Sequence, residues 1–161
     1  MKPKKLKTLS ELSRIIGRLK RNGLRIVLAN GCFDLIHAGH VRYLEGARRH
    51  GDILVVALNS DASVRRLKGR GRPVLSELER AEILSAFSPV DYITIFSEPN
   101  VERILLALKP HVHAKGSDYT RATVPERATV KSYGGTIAIA GGPKIRNASD
   151  IIVRIASRRN G

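Results

Sequence analysis

Over residues 8–20 the apolar positions Leu9, Leu12, Ile15, Ile16 and Leu19 recur at three-and-four spacing, which predicts an amphipathic helix. Thr8 and Glu11 stand at capping-box spacing at its start, and Asn22-Gly23 closes this leading helical segment, 8–22. The pattern then changes. Arg25-Ile26-Val27-Leu28-Ala29 is a short apolar run without alternation, suited to a strand buried on both faces, and 52–58 repeats it. A helix is expected between them over about 39–49. Ser76 and Glu79 form a second capping box, opening a helix that runs to about Phe87. Further strands are predicted over 92–96, 111–114 and 136–140, with helices over 99–108, 125–132 and 148–157. Alternation of this kind predicts an α/β fold: a five-stranded parallel sheet with helices on both faces, joined by right-handed crossovers. Ligands of such sheets sit beyond the carboxyl ends of the strands, at a topological switch point. The segments after Ala29, Leu58, Ala114 and Ala140 are therefore where chemistry is sought.

No internal repeat or low-complexity linker interrupts the chain, and 161 residues fit one domain, 1–161, with 1–7 as a basic tail. Hydrophobic residues make up 42%, and no apolar run approaches the ~18 residues of a membrane span. The basic start is not followed by an apolar core, so no signal peptide is expected. The single Cys32 cannot form an internal disulfide, consistent with a reducing cytoplasm.

Charge changes the picture more. Against 14 Asp and Glu stand 29 Lys and Arg, a net +15 that attracts anions without choosing among nucleotides, sugar phosphates and nucleic acid. Aromatics are 4% with no Trp, which argues against a stacking platform for single-stranded nucleic acid. Much of the positive charge also falls in Lys2 to Lys7 and in Arg158-Arg159, where it reads as solvated tails.

After the first strand comes Asn30-Gly31-Cys32-Phe33-Asp34-Leu35-Ile36-His37-Ala38-Gly39-His40. Two histidines straddle a strand-to-helix turn, where Gly39 permits close approach and the helix start offers free N–H groups to an anion. Such histidines can donate to phosphate oxygens during phosphoryl or nucleotidyl transfer. The plainer alternative makes one a helix cap and the other a packed core histidine. A zinc site needs three or four ligands, and His50, His111 and His113 lie elsewhere in the chain. The segment Lys68-Gly69-Arg70-Gly71-Arg72-Pro73 reads as a mobile basic loop able to close over phosphates. Arg80, in the first turn of its helix, opposes the helix dipole and so calls for a phosphate or carboxylate partner.

The motif Gly31-Cys32-Phe33-Asp34 with His37-Ala38-Gly39-His40 resembles the signature of the cytidylyltransferase-like nucleotidyltransferases. Within that family the chain is most similar to the adenylyltransferase domains that make ADP-heptose from heptose 1-phosphate. The supporting stretches are Val41 to Glu45, Asn59 to Val64, Arg72-Pro73-Val74, Glu79-Arg80-Ala81 and Lys115-Gly116-Ser117-Asp118-Tyr119. The resemblance implies a Rossmann-like three-layer sandwich. It implies direct attack of an acceptor phosphate on the α-phosphorus of ATP, with Mg²⁺ on the phosphates. It assigns His37 and His40 to the triphosphate and its transition state, Lys68 to catalysis with Arg72 in support, and Cys32 and Phe33 to nucleotide contact through the backbone. It makes Asp34 steady the motif and gives Arg80 a phosphate role.

Lys115 and Gly116 follow a strand on the ligand side, and Asp118 is placed to accept from a base or sugar; Ser117 departs from the two glycines usual there. Relatives carry a Ser/Thr run at the last helix start, where this chain has Asn147-Ala148-Ser149 followed by Asp150, with Lys144 and Arg146 placed to compensate. The expected partners are thus ATP and a sugar phosphate, with a homodimer implied by the family alone. Relatives are often fused to a sugar kinase, and 161 residues leave no room for one, so the kinase is expected on a separate protein. Two alternatives remain. One is a cytidylyltransferase acting on glycerol 3-phosphate, and the other is a lapsed enzyme whose charge holds nucleic acid.

Overall fold

In a computed structural model of the chain, residues 2–144 and 146–158 are described; Arg159 of the basic terminal pair lies outside them. Strands β1 (Ile26–Gly31), β2 (Ile53–Asn59), β3 (Tyr92–Phe96), β4 (Val112–Gly116) and β5 (Thr136–Ala140) form one parallel sheet in the order β3-β2-β1-β4-β5. Among the described residues, seven helices connect and flank them: α1 (Leu9–Arg21), α2 (Ala38–Arg48), α3 (Asp61–Lys68), α4 (Glu77–Ser85), α5 (Glu102–Leu108), α6 (Arg127–Ser132) and α7 (Ala148–Arg158).

The unalternating apolar runs are explained by two cores. Val27, Ala29, Leu54, Val56 and Leu58 pack with Leu44 and Ala47 of α2 and Ala81 and Leu84 of α4. The intervening Ile26, Leu28, Val55 and Ala57 pack with Leu12 and Ile16 of α1, Ile104, Leu105 and Leu108 of α5, and Val130 of α6. Each large side chain sealed this way contributes about 1.5–3 kcal/mol, so β1 and β2 form the centre of a three-layer sandwich. Both expected capping boxes are present, Thr8 with Glu11 and Ser76 with Glu79.

Two features differ from expectation. Helix α3 is not visible in the apolar pattern because Val64 and Leu67 are its only large hydrophobics, and Leu67 is exposed; the Ser60 cap and the packing of Val64 make it helical. Residues 5–7 are not a free tail. Ile93 of edge strand β3 donates to the Lys5 carbonyl and accepts from the Lys7 N–H, both at 2.9 Å, and Leu6 is buried. An edge strand exposes unpaired backbone groups, and this segment covers them.

Candidate active site

From β1 the chain runs outward through β2 and β3, then crosses back to β4 and β5. The carboxyl ends of β1 and β4 therefore diverge, and a cavity of about 370 Å³ opens above them. The loops after β1, β4 and β5 line it, as the strand pattern predicts. The turn directly after β2 does not; the connection from β2 to β3 reaches the cavity through Lys68, at the far end of α3, and Arg72 beyond it.

Gly31 ends β1, and Phe33 turns the chain at φ 47°, a conformation that non-glycine residues adopt only when their surroundings impose it. The surroundings are visible: the buried Phe33 ring lies 5.2 Å from His40 and 6.3 Å from Tyr43, while Arg80 draws in the Cys32 carbonyl. The Cys32 thiol is pushed up by burial, which favours its protonated form. Gly31, Cys32, Phe33 and Asp34 all line the cavity.

His37 and His40 line it too, and they are also the helix cap. The Gly39 N–H donates to His37 Nδ1 at 3.1 Å, and the His37 N–H points to His40 Nδ1 at 3.4 Å, a reciprocal box at the start of α2. The cap also selects a tautomer, because an Nδ1 that accepts leaves the proton of a neutral ring on Nε2. Burial pushes His37 down, with Asp150 partly opposing it. Burial first, then His37 and Lys68, push His40 down to about 4. Burial thus favours the neutral form of both rings, which lie tilted at 32° with centroids 4.0 Å apart. A Cβ on Gly39 would stand 2.8 Å from the His37 ring, so glycine is what lets the ring lie there.

Asp34 is buried, and its carboxylate accepts the Val74 and Leu75 N–H groups and Arg72 Nε, at 2.8 to 3.0 Å. Burial pushes this carboxyl up, but those donors outweigh it and hold it below the usual range. Asp34 thus ties the far end of the basic loop to the motif. The near end turns at Gly69 and Gly71, whose φ values of 89° and 80° favour glycine. Arg72 lines the cavity, and its buried Nη2 has no partner among the described residues. Asp34→Asn removes the charge and one acceptor oxygen. It is expected to cost about 1–3 kcal/mol in denaturant unfolding and to lower kcat/KM about 10²-fold as the loop drifts; unchanged kcat/KM in the folded variant would show that the tether is dispensable.

Lys115 and Gly116 at the end of β4 and Asp118 just after it line another part of the cavity, and Lys144, Arg146 and Asn147 before α7 line it too, with the Arg146 carbonyl near Gly39. Asp118 pairs with Lys144 at 3.1 Å. Asn147 and Asp150 cap each other reciprocally at 2.8 and 3.1 Å, so α7 satisfies part of its own N-terminus. Ser149 does not line the cavity; it is exposed and meets Arg72 Nη1 at 3.4 Å.

Arg80 is the clear correction. It does not line the cavity, and its guanidinium is fully buried. It donates to the carbonyls of Leu75, Cys32 and Asn59 and pairs with Asp61 at 2.7 Å. The partner demanded by its place in the helix is Asp61 together with backbone, not a phosphate. Asn30 and Tyr43, given no role from sequence, also line the cavity. Tyr43 donates to the Ala114 carbonyl at 2.7 Å and bridges β1 to β4, a contact between residues 71 positions apart that no local pattern displays.

A cavity lined by His37, His40, Lys68, Arg72, Lys115, Lys144 and Arg146 suits a phosphate-bearing ligand. The chain belongs to the cytidylyltransferase-like family, whose model matches residues 28–142. It is 49% identical over 154 residues to the bifunctional protein HldE of Pelobacter propionicus, covering 96% of this chain and 32% of that protein. It is 48% identical to the HldE of Geobacter metallireducens, covering 94% and 31%. The chain thus spans about a third of the length of these curated relatives. Among solved structures, it is similar to a lipopolysaccharide core biosynthesis protein from Thermoplasma volcanium, with TM-score 0.63, 27% identity, and 73% of this chain and 94% of that one covered. It also shares its fold with a pantoate-beta-alanine ligase from Francisella tularensis, with TM-score 0.64 at 17% identity, over 89% of this chain and 68% of that one.

Proposed function

We propose that the chain transfers an adenylyl group from ATP to a sugar phosphate, heptose 1-phosphate first among them, and releases pyrophosphate. The observation that carries the reading is the histidine pair at the head of α2, each ring accepting at Nδ1 in the reciprocal cap and Nε2 left over to donate, with Lys68 nearby. In the reaction an oxygen of the acceptor phosphate attacks the α-phosphorus. The new P–O bond forms as the bond to the β-phosphate oxygen breaks, and pyrophosphate leaves with the electron pair. Negative charge then grows on the oxygens around phosphorus. Donors already aimed there stabilise it without reorganising. Lys68, at the end of α3, and the unpartnered Arg72 Nη2 are proposed to hold the leaving phosphates.

Mg²⁺ would enter on the triphosphate, where it neutralises phosphate charge. No group of three or more His, Cys, Asp or Glu among the described residues gathers to hold a metal. Phosphate oxygens and water suffice for Mg²⁺, so the cationic cavity fits this mode. The similarity to HldE and to a lipopolysaccharide core biosynthesis protein supports a sugar phosphate as acceptor. Among the described residues no helix is long and apolar enough to cross a membrane. A cytoplasmic location and pairing with a second copy complete the proposal.

The test is pyrophosphate release, with Mg²⁺, from ATP or CTP against heptose 1-phosphate or glycerol 3-phosphate. Release from ATP with heptose 1-phosphate is expected; release from CTP with glycerol 3-phosphate alone would replace this reading with the cytidylyl one. Silence with all four pairs, from a folded protein that still binds ATP, would overturn the enzymatic reading for these acceptors.

A further inference from the structure

Beside Lys115 lies a charge that the proposed reaction does not use. Glu126, the residue before α6, is buried and makes no cap hydrogen bond. Its Oε2 has no hydrogen-bond partner among the described residues, and the nearest charge is Lys115 Nζ at 3.7 Å. Lys115 does line the cavity, although it is only 7% exposed. Its ammonium also stands 3.5 Å from Asn30 Oδ1 and 4.6 Å over the Tyr119 ring. Lys115 donates to Asn30 only at 3.5 Å and stands 3.7 Å from Glu126, so the ammonium keeps donors to give.

Stability does not explain the pair. Two buried charges without close hydrogen bonds recover little of their desolvation, and an apolar pair of similar volume does as well. Charges kept in such a place beside a cavity point to the ligand. The pair is also neutral in sum, as is Asp118 with Lys144. The other end of the cavity carries Lys68 and Arg146, which make no ion pair among the described residues. Phosphates belong at that end, and the uncharged, hydroxyl-bearing part of a substrate belongs at Lys115.

We propose that Glu126 is a positioning residue, holding the Lys115 ammonium at the cavity floor to donate to a hydroxyl of the bound substrate. This rests on the adenylyl-transfer reading. Two sources share the chemistry, the ribose of the nucleotide and the sugar of the acceptor. Burial pushes Lys115 down and Glu126 raises it again. The other groups packed around the ammonium do not replace that carboxylate: burial drives His113 of β4 down to about 3, so it is neutral. Tyr43 of α2 and Tyr119 are phenols, and Asp118 is engaged by Lys144.

Glu126→Gln is expected to raise the KM of one substrate about tenfold and leave the other within about twofold. An effect on ATP assigns the hydroxyl to ribose, and an effect on heptose 1-phosphate assigns it to the acceptor. The alkaline limb of the affected KM also moves to lower pH, because the carboxylate that keeps the ammonium protonated is gone. In a Lys115→Met background the same substitution adds nothing, and that comparison still reads if Glu126→Gln alone folds poorly. Unchanged KM values with an unmoved alkaline limb in the folded variant would overturn the proposal, as would an added penalty in the Lys115→Met background. ATP and heptose 1-phosphate affinities measured by calorimetry give the same comparison without turnover, so a wild-type protein that binds but releases no pyrophosphate defeats the adenylyl-transfer reading separately.

Discussion

His37→Ala and His40→Ala are each expected to lower kcat about 10²–10³-fold, the usual cost of removing one donor aimed at developing charge. The fold should survive. Loss of the His37 cap costs about 1 kcal/mol, a modest part of the ~5–15 kcal/mol that holds a domain together. Stopped-time pyrophosphate assays on variants with wild-type circular dichroism provide the comparison, and near-wild-type turnover in either variant would remove that ring from the proposed chemistry. The same geometry sets a pH dependence. His40 is pushed down to about 4, below the ordinary histidine value, so it stays a neutral donor as pH falls through 6. Its contribution to the acid limb of kcat/KM therefore belongs near pH 4. A limb at the unperturbed value of about 6.5 would mean that the ring is more open to water than its packing implies.

Arg80→Met is expected to cost about 3–5 kcal/mol, the penalty for removing one member of a buried, hydrogen-bonded ion pair. The methionine fills much of the space but leaves Asp61 without its cation and the carbonyls of Leu75, Cys32 and Asn59 without donors. Those groups belong to the loop before α4, the signature turn after β1, and the end of β2. Arg80 is thus a clamp joining three segments beneath the site. Chemical denaturation should show the loss of stability, while ATP binding to the folded variant at low temperature weakens by only a few fold. Full stability with abolished ATP binding would restore the phosphate role that the helix position suggested.

This contrast shows where local pattern stops. Arg80 was legible as a cation in need of a partner, since its position against the helix dipole says so within one turn of chain. Which partner it has depends on Cys32, Asn59 and Asp61, brought to it from 48, 21 and 19 residues away. The basic segment at the amino end was equally readable in composition and misleading in place: Leu6 is a single apolar residue among lysines, and only the open edge of β3 gives it somewhere to be buried. The histidine pair is the opposite case. Strand, turn and helix are contiguous there, so spacing alone brings the two rings to one helix start.

Order and type of the elements other than α3, the two-sided burial of β1 and β2, the capping boxes and the signature turn follow from residues close together in sequence, because periodicity and capping act over a few positions. The choice of cavity walls, the Asp34 tether that ties the basic loop to the turn, the Arg80 clamp and the sealed Glu126–Lys115 pair follow from the fold. Each depends on burial and on partners far apart along the chain, and neither quantity exists until the sheet has assembled.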